Sequence, residues 1–89
     1  MRTIEIDCAS VRTEAEFWQR YLDIVRPQGA DIFGRNLDAF DDALAGGPGC
    51  PGEIQLRFIH TSHLKRLRAG AFLESLKEII SDYPSISLS

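Results

Sequence analysis

The chain has 89 residues, 44% hydrophobic and 26% charged, which is one modest globular core with no disordered or fibrous bias. A formal net charge of −3 lacks the basic excess that phosphate binding requires, so nucleic acid is excluded as the main partner and a basic protein is not. No apolar run approaches the roughly 20 residues that span a bilayer, and "MRTIEIDCAS" has no apolar core of signal-peptide length, so the expectation is a cytoplasmic protein without membrane contact.

Residues 3–8, "TIEIDC", alternate Ile4, Ile6 and Cys8 with Thr3, Glu5 and Asp7, which predicts a strand with one buried face. Thr13 opens "TEAE", with Glu16 three residues on, a capping-box pattern. Phe17, Trp18, Tyr21, Leu22 and Val25 follow at helical spacing and read as core. Pro27 and Gly29 end this helix near residue 26. "PQGADIFG" is a loop, after which Asn36 is placed to cap a second helix with Leu37, Phe40 and Leu44 as its apolar stripe. Gly46 and Gly47 stop that helix, and "GGPGCPG" serves as a connection.

"EIQLRFI" (53–59) alternates Ile54, Leu56 and Phe58 with Gln55 and Arg57, a second strand. Thr61 or Ser62 is placed to cap a short basic helix, "HLKRLR". Gly70 divides it from a longer helix with Phe72, Leu73, Leu76, Ile79 and Ile80 on its apolar face, ended by Pro84. "SISLS" closes the chain as a third strand through Ile86 and Leu88. Each crossover contains helices, which makes the strands parallel. Their alternation leaves one sheet face open. The expected fold is α/β: a small three-stranded parallel sheet with four helices in two layers, one domain over residues 1–89. Cys8 and Cys50 lack C-x-x-C spacing, fall at opposite ends of that sheet and read as free thiols.

"IFGRNLDAFDD" (32–42) concentrates Asp38, Asp41 and Asp42. At about 100° per residue, Asp38 and Asp42 lie one turn apart beside the apolar stripe, and Asp41 sits at its margin. Like charges at i and i+4 cost a helix a few tenths of a kcal/mol, so helix stability does not favour the pair. Four readings stand. The acids form a solvated face, with Asp38 meeting the helix dipole. They bind a hard cation, for which no third ligand is spaced. They are paired catalytic carboxylates, which need a cleft. Or they form an acidic surface for an Arg/Lys-rich partner. "HTSH" (60–63) lacks the companions of a metal site, and no phosphate loop, nucleophile elbow or dinucleotide fingerprint is present. No catalytic residue, metal or cofactor is expected.

"FGRNLDAFDDAL" (33–44) resembles the signature of the barstar family, intracellular inhibitors of secreted guanyl-specific ribonucleases. In that family an aromatic-Gly-x-Asn-Leu-Asp-Ala stretch opens the second helix, with a further Asp four residues after the first. Phe33, Gly34, Asn36, Leu37, Asp38, Ala39, Asp42 and Leu44 fit. The length, the order of three strands and four helices, and the ending "ISLS" carry the resemblance over the whole chain. It implies an inhibitor, not an enzyme, that plugs a ribonuclease one to one, its second helix and preceding loop standing where RNA phosphates would lie. Asp42 matches the aspartate that reaches deepest, Asp38 the one a turn earlier, and Gly34 the loop glycine that lets backbone approach. Glu78, on the last helix, matches a further acidic contact. Ile32 stands where barstar carries a tyrosine, Arg35 where it carries a glutamate and Asp41 where it carries a tryptophan, and "GGPGCPG" differs wholly. The departures keep the phosphate-mimicking acids and point to a guanyl-specific ribonuclease with a different rim from barnase. Another toxin, or a basic partner that is not a nuclease, is the alternative.

Overall fold

A computed structural model describes residues 2–89. In chain order it contains β1 (Arg2–Asp7), α1 (Glu14–Val25), α2 (Leu37–Leu44), β2 (Ile54–Ile59), α3 (Ala71–Ile80) and β3 (Ile86–Leu88). The three strands form one parallel sheet in the order β1-β2-β3. Central β2 sets Leu56 and Phe58 opposite Ile4 and Ile6 on one flank and opposite Ile86 and Leu88 on the other. These side chains share the covered face. Glu5, Arg57 and Ser87 share the open one, where Arg57 pairs with Glu5 at 3.1 Å. Both partners are about half exposed, so the pair adds little stability. The alternation thus reports what it should: two layers, one sheet face wet. No helix among the described residues is long and apolar enough to cross a membrane.

An aromatic cluster fills the space between sheet and helices. Fully buried Trp18 lies at its centre, with Phe17, Tyr21, Phe33, Phe40 and Phe72 at centroid distances of 4.8 to 6.3 Å. Phe17 stacks on Phe58 of β2 at 5.3 Å, which docks α1 on the sheet. The start of α1 is set as its capping box predicts: Thr13 Oγ1 accepts from the Glu16 N–H at 3.1 Å. At its end Arg26 turns left-handed (φ 50°) and its N–H donates to the Leu22 carbonyl, just before Pro27 forbids continuation. Cys8 follows β1 and Cys50 precedes β2, at opposite ends of parallel strands, and both are free thiols. Burial pushes the Cys8 thiol up to about 12.

Among the described residues three α-helices are present where four were expected. The predicted basic helix is instead a run of 3₁₀ turns over Thr61–Gly70, broken at Leu67 (ψ 122°) and by left-handed Arg68 and Ala69 (φ 51° and 54°). Its buried residues explain the difference. Thr61, Leu64 and Leu67 are the ones turned inward, and their spacing of three is the 3₁₀ period, not that of an α-helix. A second short 3₁₀ turn, Ala30–Ile32, stands inside the expected loop.

Candidate functional site

The loop before α2 is pinned from inside. Phe33 is 6% exposed and packs against Trp18 (5.6 Å) and Tyr21 (5.9 Å). Below the ring runs the 46–52 connection. A Cβ on Gly49, which is left-handed (φ 89°), would lie 2.5 Å from Phe33 Cδ1, so only glycine lets the connection pass. The Tyr21 hydroxyl donates to the Gly49 carbonyl at 2.6 Å, and the Gly49 N–H donates to the Gln28 carbonyl at 2.8 Å. Burial raises the Tyr21 pKa, with the neighbouring Cys50 adding to it, which keeps this donor protonated.

With Phe33 held inside, its neighbour Ile32 is thrown outward and is 69% exposed, the most exposed large hydrophobic residue described. Gly34 follows, where an added Cβ would press on the Ala39 side chain at 3.0 Å and lift the loop from the helix start. Arg35 is left-handed (φ 54°), and its Nη1 donates to Gln19 Oε1 of α1 at 2.9 Å. Asn36 caps α2 as predicted: its Oδ1 accepts from the Ala39 N–H at 2.7 Å, while its Nδ2 donates to the Gly34 carbonyl at 3.2 Å.

On α2 the buried residues are Phe40 and Ala43, with Leu37 and Leu44 half-buried beside them. Asp38 and Asp42 therefore project nearly opposite the core and Asp41 to one flank, and all three are exposed. Glu78 on α3 is also exposed, and it shares a shallow surface depression with Asp38 and Arg68. One acidic residue of this segment escapes the sequence reading: Asp31, exposed on the 3₁₀ turn beside Ile32. A loop acid has no periodicity to give away its direction. Phe33 fits the family signature in the loop expected to meet the partner, and its side chain is turned into the core, where it supports that loop.

No acid of this segment takes part in an ion pair, a state it shares, among the described residues, with Glu16, Asp23, Glu53 and Asp82; the segment differs in how closely its acids are gathered. Glu5, Asp7, Glu14 and Glu74 each have a basic partner. Among the described residues, the carboxylates of Asp31, Asp38, Asp41, Asp42 and Glu78 make neither an ion pair nor a hydrogen bond. The one nearby guanidinium in the depression, Arg68, is already paired with Glu14. No group of three or more His, Cys, Asp or Glu among the described residues is placed to hold a metal ion.

A family model described as Barstar (barnase inhibitor) matches residues 1–85 of the 89. The chain belongs to the barstar family. Its members are barnase-type ribonuclease inhibitors and not enzymes. No curated protein matches the chain.

Proposed function

We propose that this barstar-family chain is a cytoplasmic inhibitor that closes the active site of a secreted guanyl-specific ribonuclease in a one-to-one complex. The observation that carries the reading is the gathering of exposed carboxylates on and around α2 with no partner among the described residues. A ribonuclease cleft is built of Arg, Lys and His to hold phosphates. Carboxylates already free of internal partners meet those groups without first breaking a bond, and Arg does so bidentately. Asp42 and Asp38, one turn apart, stand in for successive phosphates, with Asp41 on the flank and Glu78 at the rim.

The scaffold lowers the cost of binding. Asn36 caps the helix, Phe33 locks the loop, and Gly34 keeps the backbone close and bare, so little remains to be ordered on association. Ile32 adds the apolar contact such acidic patches otherwise lack. Opposite charges also speed the encounter, so association slows as salt is raised. The barnase–barstar pair is itself the standard measured example of such steering, and its magnitudes belong to that pair.

The test is a titration of purified guanyl-specific ribonucleases. RNA cleavage by the target ends at one equivalent of inhibitor. If none across a broad panel is inhibited, the proposal fails, and a basic partner that is not a nuclease takes its place.

A further inference from the structure

Arg35 does not fit the surface it sits on. It is the only cation between residues 31 and 45, a stretch that carries Asp31, Asp38, Asp41 and Asp42. If its purpose were to neutralise those acids, it would pair with one. It forms no ion pair among the described residues. Its Nη1 is instead turned to the neutral amide of Gln19 on α1, 2.9 Å away, and Gln19 is in turn tied by its Nε2 to Asp23 Oδ1 at 2.8 Å. The backbone at Arg35 is left-handed (φ 54°), a conformation that a side chain with a Cβ adopts at a cost. An exposed guanidinium is thus held in place, off the acidic helix, with most of its N–H donors unmet.

We infer that Arg35 is a specificity-determining residue, which demands an acidic side chain on the rim of the bound ribonuclease. The inference rests on the inhibitory reading above. A basic cleft docking on α2 brings its own cations near Arg35, and like charges repel at close range. The guanidinium fork is shaped for a carboxylate, and Gln19 occupies only one of its donors. A ribonuclease with a carboxylate at that point gains a charge-assisted contact over the α1 side of the loop. One with a basic rim is turned away, so one residue both selects and rejects.

The experiment uses a panel of purified guanyl-specific ribonucleases with acidic or basic residues on the cleft rim. Inhibition constants are measured for the wild type, Asp42→Ala, Arg35→Asn and Arg35→Glu, each with a thermal melt. Asparagine tolerates the left-handed backbone, so Arg35→Asn melts no lower than the wild type. It nevertheless inhibits the acidic-rim enzymes about ten- to a hundredfold less well, the range of a charged hydrogen bond. Arg35→Glu loses more on acidic-rim enzymes and gains on basic-rim ones, a reversal that a merely structural role would not produce. Arg35 variants that inhibit every enzyme as the wild type does, while Asp42→Ala is impaired, overturn this inference alone. So does a loss of inhibition matched by a lowered melting temperature in Arg35→Asn. A wild type that inhibits nothing overturns both readings.

Discussion

Replacing Asp42 with alanine separates folding from inhibition, because the two respond in opposite directions. The carboxylate is exposed and has no ion pair or hydrogen bond among the described residues, so its removal breaks none of these. It is the backbone carbonyl of Asp42, not its side chain, that accepts from Ala45 and Gly47. The carboxylate itself opposes the fold. It lies one turn beyond Asp38, a like-charge spacing that costs about 0.2–0.5 kcal/mol. It sits third from the end of α2, where the helix dipole disfavours an anion by about 0.3–1 kcal/mol before salt screening. Alanine is also the better helix former, by up to ~0.7 kcal/mol. With screening, the sum is about 1 kcal/mol in favour of Asp42→Ala, or about 4–8 °C in melting temperature for a domain of this size. Binding moves the other way. A central carboxylate buried against arginine is worth at least about 2 kcal/mol, so inhibition weakens some 30-fold or more. Circular-dichroism melting and a ribonuclease titration on the same preparation read both quantities. A lower melting temperature with unchanged inhibition would make the carboxylate structural and refute the reasoning. A higher one with unchanged inhibition would show that the outward face of α2 is not the contact.

Phe33→Ala removes a ring packed between Trp18, Tyr21 and Gly49 and costs about 3–5 kcal/mol in urea unfolding; a loss below about 1 kcal/mol would show that the ring does not hold the loop. Asn36→Ala deletes the cap on Ala39 and costs about 1 kcal/mol, whereas Asn36→Asp, an equal capping residue, leaves stability within about 0.5 kcal/mol; equal losses in both would argue against capping. The Ala9 N–H, with His60 second, holds the Asp7 carboxyl below its ordinary value of 3.8. A lowered folded value means that this ion stabilises the fold above the unfolded pKa and that the contribution is lost as pH falls through the folded one. Asp7→Asn therefore shallows the acid limb of the stability curve, slightly because the pair is exposed, and an unaltered limb would show that the ion contributes nothing.

Most of the fold was legible because its signals are local. Alternation in "TIEIDC" and "EIQLRFI" gave strands whose buried face the structure confirms, and Thr13 and Asn36 cap the helices they were expected to cap. From the sequence Asp38 and Asp42 lie beside the apolar stripe, whereas burial of Ala43 together with Phe40 turns them nearly opposite the core. Even the 3₁₀ segment carried a sign, the three-residue spacing of Thr61, Leu64 and Leu67, hidden by basic residues that also suit an α-helix.

What the sequence by itself determined, then, is which residues share a face, since that depends only on backbone geometry within an element. What only the tertiary structure decided is which faces meet. The burial of Phe33 beneath the loop, the contact of Tyr21 with Gly49 and the turning of Arg35 onto Gln19 join residues 12 to 28 positions apart or packed across elements. No periodicity encodes such pairings, because they arise from the packing of aromatic rings of particular size into one core. That packing puts Ile32 outside and Phe33 inside, and so shapes the surface that α2 presents.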